Sequence, residues 1–144
     1  MSPQAFTFLE FFAGGGMARI GLGPNWSCLL ANDIDPAKAA AYRKNFSPAR
    51  ELFVGDIAKL PGHLIPARAD LAWASFPCQD LSLAGNGAGL RGGRSGTFWA
   101  FWNQISRLRS EGLAPTIVAL ENVYGALTSH GGRDFAASIG AIAE

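Results

Sequence analysis

Five short apolar runs alternate with helix-forming stretches along this chain, and that alternation leaves few folds open. The runs are Phe6–Phe12, Ser27–Ala31, Leu52–Val54, Leu71–Ser75 and Thr116–Leu120. Continuous apolar strands separated by helices predict a parallel sheet covered by helices, an α/β architecture. Local punctuation places the helices. Gly23-Pro24 ends a short helix that runs to about Leu22. Pro36 suits a first helical position, with Asp35 as its cap, and Ala37 to Asn45 continue that helix. Phe98, Phe101, Trp102, Ile105 and Leu108 recur at helical spacing, so one face of that helix is buried. A last helix is expected from near Asp134 to Glu144.

The chain has 144 residues with 49% hydrophobic and 16% charged side chains, enough apolar material for one ordinary domain and too much for a disordered chain. No window has the length and apolarity of a membrane span, and no basic start precedes an apolar run, so neither a span nor a secretory signal is expected. Two cysteines, Cys28 and Cys78, do not make a disulfide framework and suit a reducing, cytoplasmic compartment. A net charge of +1 argues against a purely electrostatic nucleic-acid binder, though not against a locally basic site. Glycine is the outlier, at 18 residues, and six fall between Gly85 and Gly96.

Gly14, Asp33, Asp56, Cys78 and Glu121 each stand just beyond the carboxyl end of one of the five runs. In open α/β sheets that edge is where ligands bind. The Gly14-Gly15-Gly16 turn lets a ligand approach the backbone. It does not match the dinucleotide fingerprint, which needs a third glycine where Arg19 stands. Nor does it match the phosphate loop, whose lysine position is Leu22. A nucleoside-like ligand without a pyrophosphate remains, and S-adenosylmethionine is the common one. Asp33 then suits the ribose hydroxyls, Asp56 or the amide after it the adenine edge, and Ile34 and Ile57 the faces of the ring.

Phe76-Pro77-Cys78-Gln79 presents a cysteine beyond a strand on a chain fixed by proline. A thiolate there can attack an electrophilic carbon. In a parallel sheet with the first, fourth and fifth strands adjacent, Gly14, Cys78 and Glu121 share one crevice. A Glu121 carboxyl partly removed from water would hand a proton to a ring nitrogen while Cys78 attacks, which suits addition to a pyrimidine. Cys28 reads as a small buried hydrophobe, and His63 and His130 as surface residues. No metal-ligand cluster is evident.

Phe12-Ala13-Gly14-Gly15-Gly16, Phe76-Pro77-Cys78-Gln79 with Ser82, Arg94-Ser95-Gly96-Thr97-Phe98, and Glu121-Asn122-Val123 together resemble the DNA cytosine-5 methyltransferases in order and spacing. The resemblance covers essentially the whole chain. It implies a Rossmann-like S-adenosylmethionine-dependent methyltransferase fold and methylation of C5 of a flipped cytosine in double-stranded DNA. It implies that Cys78 adds to C6, that Glu121 contacts N3 and the exocyclic amine, and that Asn122 braces the proline-cysteine loop. Phe12, Gly14, Gly16, Asp33, Ile34, Asp56, Ile57, Pro77 and Phe98 are implied around the cofactor. A duplex base must be extruded before such chemistry. The glycine-rich segment after Cys78 is placed to close over it, with Gln79 and Ser82 meeting the duplex and Arg91 and Arg94 its phosphates.

The chain departs from that family in three ways. Met17 stands where a further glycine is common, Ile34 where a large aromatic often stacks on adenine, and the sequence stops at Glu144. The later strands, the Q-x-R-x-R motif, the target-recognition region and the closing helix of the family are not in it. The expectation is therefore a single, incomplete domain spanning 1–144, truncated after the fifth strand of a mainly parallel sheet, with Thr116–Leu120 at an open edge. Three readings follow. The chain is the catalytic half of a restriction-modification methyltransferase of bacterial or phage origin, completed by a second subunit or by missing downstream sequence. Or it is an inactive remnant that only binds S-adenosylmethionine. Or it acts on tRNA cytosines.

Overall fold

The computed structural model describes residues 5–77, 96–122 and 128–143, and in them the alternation resolves into one five-stranded parallel sheet. The elements are β1 (Phe6–Phe11), α1 (Met17–Leu22), β2 (Trp26–Asp33), α2 (Pro36–Asn45), β3 (Leu52–Val54), β4 (Leu71–Ala74), α3 (Gly96–Ser110), β5 (Ile117–Leu120) and α4 (Arg133–Ala143). The sheet order is β3-β2-β1-β4-β5. Three-residue 3₁₀ turns, Ile57–Lys59 and Gly62–Leu64, occupy the crossover from β3 to β4.

β1 lies at the centre, paired with β2 on one side and β4 on the other, with Glu10 opposite Ala31 and Trp73. Alternation divides its side chains between two layers. Leu9 and Phe11 enter the main core with Leu30, Ala72 and Ala74, closed from above by Phe101, Ile105 and Leu108 of α3. The helical spacing of those α3 residues places them on one fully buried face. Phe11 and Phe101 meet edge to face with centroids 5.2 Å apart, a favoured aromatic geometry.

The opposite face is covered by α1 and α2. No residue of α1 is fully buried, so polar contacts hold it. The Arg19 guanidinium donates to the Tyr42 hydroxyl at 2.8 Å and to the Glu51 carboxylate, and lies 4.2 Å over the Phe46 ring. These contacts tie α1 to α2 and to the entrance of β3. Burial pushes the Cys28 thiol up to about 12, with Tyr42 and Arg19 pulling weakly back, so Cys28 stays protonated.

α2 begins at Pro36, as the sequence predicts. Its cap is Asp35, whose carboxylate accepts from the amides of Ala37 at 2.8 Å and Lys38 at 3.4 Å. Replacing Asp35 with alanine leaves both donors unpaired. A loss of about 1 kcal/mol is expected, read as a lower urea midpoint with an unchanged slope. β5 pairs only with β4 among the described residues and so forms an edge, with Ile117 56% exposed.

Candidate functional site

Phe11 is the last ladder residue of β1, and the next residues make a tight reversal. Phe12, Gly14 and Gly16 all take the left-handed backbone, at φ 57°, 55° and 85°. Phe12 is a bulky residue in a region that favours glycine, and strain of this kind persists where the surrounding packing overdetermines it. Here it is held between the main core and the Phe76–Phe98 cluster. Gly16 is required twice over. Its backbone is left-handed, and a β-carbon built on it would lie 2.2 Å from Phe46 and 3.0 Å from Tyr42. Gly14 is required once, by its backbone, because a β-carbon there would meet nothing within 4 Å. The turn therefore seats its far end on α2 and leaves Gly14 facing open space.

Asp33, at the end of β2, clasps that turn. Its Oδ2 accepts from the Gly14 amide at 2.8 Å and its Oδ1 from the Asp35 amide at 2.9 Å. A carboxylate has about four acceptor positions, so two remain for a ligand's hydroxyls. Ile34 is 66% exposed beside it. Asp56, after β3, accepts from the Ala58 amide at 2.9 Å and caps the following 3₁₀ turn. The carboxyl edges of β1, β2 and β3 thus bring Gly14, Asp33, Ile34 and Asp56 to one side of the sheet.

Two residues expected at the ring or cofactor are buried in the core. Ile57 is buried in the main core beneath α3, where its carbonyl accepts from Gln104 at 2.9 Å. Ile34, not Ile57, offers open apolar surface. Phe98 is fully buried, packed edge to face on Phe76 at 5.7 Å and stacked with Trp102 at 6.5 Å. It supports the approach to Pro77 from beneath, as its helical spacing with Phe101 predicts.

On the other side of β1, Glu121 follows β5, and its amide donates to Ala74 at 2.9 Å. β1, β4 and β5 are adjacent, as expected, and Glu121 shares a cavity with residues of α1. Its environment differs from the expectation, because Glu121 is exposed on an edge strand instead of partly removed from water. A cavity of about 470 Å³ lies there, bounded by Met17, Ala18 and Leu22 of α1, by Trp73 and Ser75, and by Glu121. That volume is in the range of small-molecule sites. Asn122 is half-buried directly after Glu121, and Pro77 is exposed. Cys78, Gln79, Ser82, Arg91 and Arg94 lie outside the described residues.

The sequence reading passed over Glu10. Its side chain is 2% exposed, on the α1 face of β1. Oε1 accepts from the Ala18 amide at 3.2 Å, while Oε2 is buried without a hydrogen-bond partner among the described residues. Burial pushes this carboxyl up to about 7, against the opposing pull of the Arg19 and Ala18 amides and the Arg19 charge. An acid inside the run Phe6-Thr7-Phe8-Leu9-Glu10-Phe11-Phe12 is the signal that would have found it.

The family model for C-5 cytosine-specific DNA methylase matches residues 6–144. Curated relatives include the type II methyltransferase M.Eco47II of Escherichia coli, 31% identical over 134 residues, with 92% of this chain and 31% of that protein covered. M.HpaII of Haemophilus parainfluenzae is 32% identical over 132 residues, covering 90% and 35% respectively. The chain thus spans about a third of the length of these relatives. Among solved structures, Schizosaccharomyces pombe (S. pombe) Dnmt2 methyltransferase superposes with a TM-score of 0.65 at 23% identity, covering 93% of this chain and 41% of that one. DesVI of Streptomyces venezuelae superposes at 0.55 with 15% identity, covering 85% and 45%. At those identities the two structures establish the shared fold alone.

Proposed function

Because the chain belongs to the C-5 cytosine-specific DNA methylase family, we propose that it supplies the cofactor seat and the nucleophile of a DNA cytosine-5 methyltransferase acting on double-stranded DNA. The observation that carries this reading is the clasp between Gly14 and Asp33 with Glu121 two strands away on the same sheet edge. The chain's own residues fit S-adenosylmethionine. Gly14 opens onto free space, Asp33 keeps acceptor capacity, Ile34 offers apolar surface and Asp56 closes the far side. Phe12 and Gly16 hold the turn that makes this seat, and Pro77 approaches it from β4. When bound, the cofactor supplies an electrophilic methyl group.

In this reading Cys78, as a thiolate, adds to C6 of a cytosine while Glu121 holds N3 and the exocyclic amine. Carbon 5 would take the methyl group from the bound cofactor with cleavage of its sulfonium carbon–sulfur bond; loss of the C5 proton to a water-borne base and cleavage of the bond from C6 to Cys78 would then restore the ring and the thiolate. Asn122 braces the loop that bears Cys78. Gln79, Ser82, Arg91 and Arg94 meet the DNA. The rest of the enzyme, with its Q-x-R-x-R segment, is supplied by a second polypeptide or by further sequence, in the setting of a bacterial restriction-modification system in the cytoplasm.

A duplex containing 5-fluorocytosine tests this, because fluorine at C5 is not lost as the proton is and the C6–sulfur bond persists. The full chain with S-adenosylmethionine, alone or with the completing polypeptide, is expected to give an adduct that survives denaturing electrophoresis. Cys78→Ser is expected to give none. No adduct in either mixture overturns the catalytic reading, and an adduct with RNA but not DNA replaces the substrate.

A further inference from the structure

Three consecutive glycines make the turn of the cofactor seat, and glycine by itself would leave that turn many shapes. Each of the three carries a hydrogen bond that limits this freedom. The Gly14 amide donates to Asp33 Oδ2 at 2.8 Å, and the Gly16 amide to the Ala13 carbonyl at 2.8 Å. The Gly15 carbonyl accepts from Nδ2 of Asn45 at 2.8 Å. Asn45 is the last residue of α2, 30 residues further along the chain. Its side chain is exposed, it stands at no strand end, and the proposed chemistry has no use for it.

These bonds fasten the turn to both ends of one helix. At the start of α2, Asp33 joins the Gly14 amide to the amide of Asp35, the residue that caps the helix. At its end, Asn45 reaches Gly15 directly. A turn held at one point can swing about it, whereas two points fix its direction. The peptide between Gly15 and Gly16 is also held on both sides, its carbonyl by Asn45 and its N–H by Ala13. Turning that peptide over would break both bonds and take Gly16 out of its left-handed φ of 85°, a change that glycine tolerates.

We propose that Asn45 is a positioning residue for the cofactor: through the Gly15 carbonyl it locks the glycine turn in the shape that S-adenosylmethionine binds. The inference rests on the methyltransferase reading above. Its energetics separate it from a merely structural role. A hydrogen bond from an exposed side chain adds little to folding, because water pairs with both groups when it opens. Without Asn45 the free turn relaxes into other glycine conformers, which spares the fold. Binding must then draw it back, and apparent affinity falls with the fraction of chains whose turn is still in shape. The loss is bounded by the worth of one such bond, roughly two- to tenfold. It applies equally to S-adenosylmethionine and S-adenosylhomocysteine, because both carry the same nucleoside.

Gly15 supplies a complementary variant. Its φ is not left-handed, and a β-carbon on it would meet Asn45 Nδ2 at 3.7 Å and Ala41 Cβ at 3.9 Å, both ordinary contacts. Gly15→Ala therefore fits the present turn while removing part of the freedom that Asn45 restrains.

Calorimetric titration of the full chain with each ligand, beside urea denaturation of the same samples, tests the role. Asn45→Ala is expected to bind both ligands roughly two- to tenfold more weakly, at an unchanged urea midpoint. Adding Gly15→Ala to Asn45→Ala should tighten binding again, towards the parental value. Parental affinity in Asn45→Ala overturns the role. So does a loss accompanied by a lower urea midpoint, or one that Gly15→Ala leaves untouched. Each of these outcomes leaves the cofactor reading standing. Absence of binding of either ligand to the unaltered chain, alone or with the completing polypeptide, overturns that reading and the role with it.

Discussion

Gly16→Ala is expected to destabilise the protein by roughly 2–5 kcal/mol and to abolish binding of S-adenosylmethionine. Two effects add. A β-carbon at φ 85° costs about 1–2 kcal/mol in backbone strain. The same carbon would lie 2.2 Å from the Phe46 ring, which packs on Tyr42 and lies under Arg19, so the ring must give up those contacts to make room. Overpacking of that kind typically costs about 1–3 kcal/mol. Urea denaturation measures the total. Gly16→Ala combined with Phe46→Ala separates the parts, since removing the ring relieves the overlap but not the strain. A double variant as stable as Phe46→Ala alone would show that strain contributes nothing. A single variant within 0.5 kcal/mol of the parent, a margin typical of neutral surface changes, would show that the turn is not seated on α2 as described.

Phe101→Ala is the other large change, with an expected cost of about 3–5 kcal/mol. Phe101 is fully buried, and its ring meets Phe11 at the centre of the sheet. Its neighbours Leu9, Ile105 and Leu108 are anchored in strand and helix, so the void cannot close. Thermal and urea denaturation measure the loss. Cofactor affinity should fall with it, because Phe11 immediately precedes the strained Phe12. Phe101→Leu keeps most of the volume and should recover more than half of the stability. A Phe101→Ala protein with parental stability would mean that α3 does not close this core.

Much of this arrangement could be read before any coordinates. Asp35-Pro36 is a cap followed by a residue with a preset φ, and α2 begins there and ends at Asn45 as the pattern predicts. Leu52–Val54 is β3 to the residue. The other strands shift by one or two residues at their ends, where a last apolar residue belongs equally to a ladder or a turn. The adjacency of the first, fourth and fifth strands also held.

The failures have physical causes. The 3.6-residue spacing places Phe98 with Phe101 on a buried face and the structure puts it there, while its place beside the cofactor rests on the family resemblance alone. Ile57 sits beside an acid at the ligand edge, but a 3₁₀ turn rotates its side chain inward, and no sequence pattern of three residues reports that rotation. Glu121 is exposed because it follows β5, which is flanked only by β4 among the described residues, and an edge position offers it little cover. Glu10 was invisible because an acid in a strand reads as a solvent-facing position, whereas helix α1 covers that face here.

The central place of β1 has a consequence for how the chain comes into being. Its partner across the sheet is remote in sequence: Thr7 bonds Asp70, 63 residues later. During synthesis the glycine turn is made well before the strand that flanks β1 on the Glu121 side, since Asp70 at the entrance of that strand lies 63 residues after Thr7. Closing so distant a pairing is slow compared with forming the helices between. The ligand seat is therefore made before the fold can complete it, and until β4 arrives β1 is itself an unguarded edge, in need of either speed or a chaperone.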